Sequence, residues 1–214
     1  HVAATFFTGG CNFRCPFCHN SDLITCSSFT DNISEEEIFA FLKKRKNVLT
    51  GICITGGEPT LQPDLAEFME KVHSLGYKIK LDTNGYRPEI IANLLEKKLL
   101  DYIAMDIKSG YSNYVNVSGI SNLDFKKIES SISIIENSGI PYEFRTTVTR
   151  ELHTEEEFKQ IGEWIAGCKR YFLQGYQESG QVIRPVFSSY TRDDLERFRE
   201  VLLETIPYVG IRGV

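Results

Sequence analysis

Three cysteines, Cys11, Cys15 and Cys18, lie in one short run, Gly10-Cys11-Asn12-Phe13-Arg14-Cys15-Pro16-Phe17-Cys18-His19-Asn20. Three thiolates on one loop can hold three corners of a cubane iron–sulfur cluster. The fourth iron then has no protein ligand and stays open for chemistry, whereas a cluster that only carries electrons normally has four cysteines. The alternative is a structural zinc site with His19 as the fourth donor. Adjacent Cys18 and His19 would struggle to point at one tetrahedral ion, and structural zinc sites usually draw their ligands from two separated pairs. The other cysteines, Cys26, Cys53 and Cys168, are scattered. Cys53, inside Gly51-Ile52-Cys53-Ile54-Thr55, reads as a small buried thiol in a strand.

Several further segments carry groups that could meet a ligand. Gly56-Gly57-Glu58-Pro59 is a glycine turn whose exposed carbonyls could accept from an ammonium group, although such turns are common for backbone reasons alone. Asp82-Thr83-Asn84-Gly85 contains a carboxylate and a natural Asn-Gly turn pair. Asp106 interrupts the apolar run Ile103-Ala104-Met105-Asp106-Ile107, and a buried carboxylate needs partners. Lys108 reads either as a ligand contact or as a solvated lysine. Arg145, in the alternating Glu143-Phe144-Arg145-Thr146-Thr147-Val148, could meet a ligand carboxylate, a partner's backbone or an ordinary ion-pair partner. Residues 111–119, with Tyr111 and Tyr114, form a polar stretch that reads as substrate contact or as plain loop. Gln174 could reach an adenine or a ribose. His73 and His153 lack an active-site context.

A strand-then-helix rhythm must position these groups. Strands are expected over 2–8, 52–55, 78–83, 102–107, 142–148 and 171–174, with one more in the tail 208–214. Helices are expected from Ser34-Glu35-Glu36-Glu37 to about Lys46, from Pro63, over 88–98, over 124–137, from Thr154-Glu155-Glu156-Glu157 to near Gly167, and over 191–205. Six or so βα units favour a parallel sheet with helices outside, and in α/β barrels reactive residues gather at the carboxyl ends of the strands. The cysteines follow the first strand, the glycine turn the second, Asp82 to Gly85 end the third, and Asp106 to Lys108 end the fourth. All fall on one rim, which a zinc staple would not require.

At 214 residues and a net charge of −5, the chain fits one domain over 1–214 and offers no general nucleic-acid surface. It has no apolar run of membrane-spanning length and no signal peptide. Dispersed cysteines in a chain of this size suit a reducing cytoplasm. The sequence begins at His1, directly on an apolar strand, so an N-terminal segment is expected to be missing from it.

The cysteine run, with aromatic Phe17 before the last cysteine, resembles the signature of the radical SAM superfamily. There the open iron binds S-adenosylmethionine through its amino and carboxylate groups, and one electron releases a 5′-deoxyadenosyl radical. Glycine turn Gly56-Gly57-Glu58-Pro59 is similar to the superfamily's GGEP motif, which binds the amino end of that molecule. Asp82-Thr83-Asn84-Gly85 and Asp106-Ile107-Lys108 resemble segments of activating enzymes for glycyl radical enzymes that line its ribose and carboxylate. Some members also hold a monovalent cation there, and Asp82, Thr83 and Asp106 match those positions in part. Nearly the whole chain resembles the activating proteins of anaerobic ribonucleotide reductase and pyruvate formate-lyase.

The resemblance implies an α/β radical SAM fold, a partial (β/α)6 TIM-like barrel. It implies a [4Fe–4S] cluster on Cys11, Cys15 and Cys18, with S-adenosylmethionine held by Phe17, Gly56, Gly57, Glu58, Asp82, Thr83, Asn84, Asp106, Lys108, Arg145 and Gln174. The implied reaction is hydrogen abstraction from a glycine of a partner glycyl radical enzyme, with flavodoxin or ferredoxin as electron donor. Residues 19–33 hold no cysteine-rich insert, so the extra clusters of some activases should be absent. Two alternatives stay open: a radical SAM enzyme acting on a small molecule such as a deazapurine precursor, with Mg²⁺ as a further need, and a zinc-binding module.

Overall fold

A computed structural model describes residues 2–25, 32–178, 182 and 186–214. Seven strands form one sheet in sequence order, each pairing parallel with the next. They are β1 (Ala3–Thr8), β2 (Gly51–Gly56), β3 (Lys78–Thr83), β4 (Tyr102–Asp106), β5 (Tyr142–Val148), β6 (Tyr171–Gly175) and β7 (Val209–Arg212). The sheet does not close: β1 and β7 lie at its two edges. This is the expected partial barrel, with the tail adding the seventh strand beyond six βα repeats.

The connecting helices are α1 (Asp22–Thr25), α2 (Glu35–Arg45), α3 (Leu65–Ser74), α4 (Pro88–Glu96), α5 (Tyr114–Ser118), α6 (Phe125–Glu136), α7 (Glu155–Trp164) and α8 (Arg192–Leu203). Acidic first turns mark the starts of α2 and α7, as expected. At α2 a capping box closes reciprocally, Ser34 N donating to Glu37 Oε2 at 2.9 Å and Glu37 N to Ser34 Oγ at 3.2 Å.

Strand alternation separates two faces. On β3, Ile79 and Leu81 are buried in the core with Met69 and Val72 of α3 and Ile91 and Leu94 of α4. Lys80 and Asp82 occupy the opposite face. On β5, Phe144 joins the core while Glu143, Arg145 and Thr147 share the inner face, because side chains alternate with period two. Ionisable groups therefore meet inside the sheet's curve and apolar ones beneath the helices.

Five expectations need correction. Pro63 does not open α3: the helix begins at Leu65, and the chain before it is taken up by a 3₁₀ turn, Pro59–Leu61. That turn is capped by the Glu58 side chain, which accepts from Thr60 N at 3.2 Å. Helices α4 and α7 stop short of Lys98 and Gly167, at Glu96 and Trp164. The polar stretch 111–119 contains helix α5. Cys53 is only half-buried and lies on the inner face with Lys80, its register partner, where burial and the Asp82 carboxylate push its thiol up to about 11.

Candidate functional site

The three thiols line one cavity of about 300 Å³. It opens at the carboxyl ends of β1 to β6, as strand polarity in a βα fold predicts. Gly56, Gly57 and Glu58 line it after β2, Asp82, Thr83 and Asn84 after β3, and Asp106 and Lys108 after β4. Arg145 of β5, Gln174 of β6 and Phe17 of the cysteine loop also border it. Tyr111 and Tyr114 do not.

The cysteine loop is held from two sides. On one side it docks on the glycine turn: Gly57 N donates to Thr8 O at 2.9 Å and Glu58 N to Gly10 O at 2.8 Å. A Cβ at Gly57 would lie 2.0 Å from Gly10 O, so only glycine permits this approach. On the other side it docks on α5. Arg14 N donates to Ser118 O at 2.9 Å, and Cys15 Sγ lies 3.8 Å from the same oxygen. Gly119, at φ +71°, ends α5 where a Cβ would lie 2.3 Å from Arg14 O.

Residues 111–119 are thus the cradle of the cysteine loop. Tyr114 is fully buried, with its ring against Phe125 and Trp164, and Tyr111 stacks on Phe125 at 4.0 Å. Their apolar ring faces outweigh the stretch's polar composition, so a substrate-contact role for Tyr114 is not supported.

Glu58 differs from its expected role as well. Its carboxylate is buried and accepts from Thr60 Oγ1 at 2.6 Å, Thr83 Oγ1 at 2.7 Å and Asn84 N at 2.7 Å. It joins the glycine turn to the β3 turn, leaving the carbonyls of the glycine turn as acceptors for a ligand. Burial raises its carboxyl above the ordinary value, while the four donors oppose that rise.

Five charges alternate on the inner face, Asp82, Asp106, Lys108 and Arg145 bordering the cavity and Lys80 lying behind Asp82. Lys80 Nζ lies 2.5 Å from Asp82 Oδ1, Arg145 Nη2 3.1 Å from Asp82 Oδ2, Arg145 Nε 2.6 Å from Asp106 Oδ1, and Lys108 Nζ 2.9 Å from Asp106 Oδ2. Three cations against two carboxylates leave one net positive charge. Burial opposes ionisation of Asp106, but Arg145 and Lys108 outweigh it and hold its carboxyl well below the usual range. Burial likewise opposes the charge on Lys108, and Asp106 restores it. Each of the four aspartate oxygens faces a cation.

Sequence reasoning missed His153. It is buried at the base of the site, Nε2 lying 2.8 Å from Lys108 O while Thr149 N donates to Nδ1 at 3.1 Å. Because an amide N–H can only donate, Nδ1 is the acceptor and Nε2 carries the proton. Its ring also meets the edge of Phe17 at 6.2 Å. Only Thr149 is near it in sequence; Lys108 and Phe17 come from other parts of the chain. Thr147 of the cavity wall was within reach of the alternation on β5, two residues beyond Arg145.

Free thiols are disfavoured as anions here. Burial raises Cys11, and burial pushes Cys15 up to about 12. A coordinating metal supplies the missing stabilisation of the thiolates. Among the described residues, no three Cys, His, Asp or Glu side chains converge on one ion. His19, which also borders the cavity, packs its ring at a tilt against Tyr176, ring centres 5.0 Å apart. Three thiols bordering one cavity of this size suit a multi-atom cluster.

Comparison with known proteins agrees with this geometry. The profile of the Radical SAM superfamily matches residues 5–165. A Methanocaldococcus jannaschii protein with the provisional name glycyl-radical enzyme activating enzyme is 32% identical over 180 residues, 82% of this chain and 73% of its own. A Saccharolobus solfataricus protein provisionally named GTP 3′,8-cyclase is 32% identical over 159 residues, 72% of this chain and 49% of its own. The solved structure of Streptococcus suis SuiB bound to precursor peptide SuiA superposes with a TM-score of 0.74 at 16% identity, covering 98% of this chain and 48% of that one. The chain thus spans about half the length of two of these three proteins.

Proposed function

This chain belongs to the radical SAM superfamily and is a radical SAM oxidoreductase, and from that premise we propose that it activates a glycyl radical enzyme. Cys11, Cys15 and Cys18 would hold three irons of a [4Fe–4S] cluster. The chemistry that cluster supplies is one-electron reductive cleavage of the sulfonium of S-adenosylmethionine, with methionine released and a hydrogen atom drawn from a partner's glycine Cα to the freed 5′-carbon.

The protein's own part is to bind and orient. The observation that carries the reading is the convergence of the three thiols and the charged array in one cavity. The ammonium of Lys108 and the guanidinium of Arg145, both bordering the cavity, suit the carboxylate of S-adenosylmethionine. The carbonyls of Gly56 and Gly57 suit its ammonium group, and Gln174 offers hydrogen-bonding atoms for the nucleoside. The activase assignment draws support from the Methanocaldococcus jannaschii relative, and a peptide-bound neighbour of the same fold supports a protein substrate. Flavodoxin or ferredoxin would deliver the electron. Among the described residues no helix is long and apolar enough to cross a membrane, and the reducing cytoplasm is the proposed compartment.

The test is anaerobic reconstitution followed by assay with a peptide copying a partner's glycine loop, deuterated at the glycine Cα. Deuterium should enter 5′-deoxyadenosine, and electron paramagnetic resonance should show a glycyl radical on the intact partner. Transfer from a purine precursor, and never from glycine, would replace the activase reading with a small-molecule one.

A further inference from the structure

We propose that Asn84 is a positioning residue that donates an N–H···S hydrogen bond to the Cys11 corner of the cluster and raises the potential at which the cluster takes up its electron; this rests on the cluster reading above. Its place in the β3 turn suggested contact with a bound ligand. The structure spends its side chain inside the protein instead. Asn84 is 5% exposed. Tyr86 N donates to its Oδ1 at 3.0 Å. Since an amide N–H only donates, this contact fixes which end of the side chain is oxygen. The two hydrogens of Nδ2 are thereby turned toward Asn12 Oδ1, at 2.7 Å, and Cys11 Sγ, at 4.0 Å.

The residue is also clamped through its backbone. Asn84 N donates to Glu58 Oε2, and the other Glu58 oxygen accepts from Thr60 and Thr83. Glu58 N in turn donates to Gly10 O, next to Cys11. A closed circuit therefore runs from the cysteine loop through the glycine turn and the β3 turn back to the cysteine loop. Cys11 Sγ receives a second N–H, from Phe13 at 3.4 Å. Cys15 Sγ instead lies 3.8 Å from the carbonyl oxygen of Ser118, which can only accept. The positive end of an N–H dipole stabilises a thiolate-bound cluster more after it gains an electron than before. Hydrogen bonds to the sulfurs are an established control on cluster potential.

The test is a redox titration of the reconstituted full chain, followed by electron paramagnetic resonance of the reduced cluster without S-adenosylmethionine. Wild type, Asn84→Ala, Asn84→Asp and Cys53→Ala would be compared. Asn84→Asp keeps the shape and the backbone link to Glu58. Both Asn84 variants should retain wild-type iron and sulfide. At the wild-type midpoint, Asn84→Ala should lower the reduced-to-oxidised ratio about tenfold, equivalent to about 59 mV for one electron. Asn84→Asp should lower it further, because it replaces a donor with a negative charge, and Cys53→Ala should match wild type. Clusters in both Asn84 variants that titrate at the wild-type midpoint would overturn the proposal alone. Failure of both variants to assemble a cluster would overturn it too, by making the role one of folding. A wild-type protein that binds no [4Fe–4S] cluster would remove the cluster reading along with it.

Discussion

Asp106 and Arg145 are register partners on β4 and β5, and Arg145 Nε lies 2.6 Å from Asp106 Oδ1. Register partners project to one face, so the pairing of two strands is what aims this ion pair into the cavity. The other arm of Arg145 passes β4 and reaches Asp82 on β3. One side chain thus ties three strands together at the rim.

Removing that tie should be costly. Arg145→Ala leaves two part-buried carboxylates sharing only Lys80 and Lys108, and losing hydrogen bonds between charged groups typically costs about 1.5–3 kcal/mol. The urea midpoint of unfolding should fall accordingly. A loss under about 1 kcal/mol would show that water or the lysines replace the guanidinium.

At the other end of the array the expected effect is on ligand binding. Asp106→Asn and Lys108→Ala should each weaken binding of S-adenosylmethionine by about 1.5–3 kcal/mol, the range for hydrogen bonds to charged groups. Iron content should be unchanged. Equal affinity in wild type and both variants, by equilibrium binding, would take these residues out of the site.

The cysteines should divide into two classes. Cys11→Ala, Cys15→Ala and Cys18→Ala should each abolish cleavage of S-adenosylmethionine. Cys53→Ala and Cys168→Ala should retain both cluster and cleavage, as should Cys26→Ala, whose position lies outside the described residues. One zinc per chain and no iron after anaerobic purification would contradict this division.

Gly57→Ala should separate the glycine turn from the cysteine loop, because its Cβ would collide with Gly10 O. Gly139→Ala is the comparison: Gly139 has φ +77° but open space around it, so only the backbone cost of about 1–2 kcal/mol applies. Iron content after reconstitution should drop in the first variant and hold in the second. Equal retention would show that the loops can move apart without losing the cluster.

Two residues before Arg145 on the same face of β5, Glu143 gives the protein an acid-sensitive joint. Arg212 of β7 donates to both its oxygens, at 2.8 and 2.9 Å, and Tyr102 Oη donates at 2.8 Å. Burial raises the Glu143 carboxyl, but Arg212 and Tyr102 outweigh it and hold the group below its ordinary value. The unfolded chain therefore binds this proton first. The stabilisation is complete above the ordinary glutamate pKa of about 4.3 and is lost as pH falls below it. Glu143→Gln should flatten the acid limb of a plot of melting temperature against pH. Parallel acid limbs would assign that sensitivity to other carboxylates.

What the sequence determined by itself was local chemistry and chain rhythm. Cysteine spacing limited Cys11, Cys15 and Cys18 to one small loop, and strand alternation with acidic helix starts sufficed for a parallel sheet with one reactive rim. What only the tertiary structure decided was which groups face the ligand and which face each other. Glu58 and Asn84 read as ligand contacts in their own segments, yet Thr60, Thr83, Tyr86 and Asn12 occupy their polar atoms. Tyr114 read as a rim residue, yet Phe125 and Trp164 enclose it. His153 had no visible role until Lys108 O and Phe17 came to its sides. The reason is physical: spacing constrains atoms within about a turn or two of chain, whereas hydrogen-bond satisfaction and burial depend on partners brought from other strands.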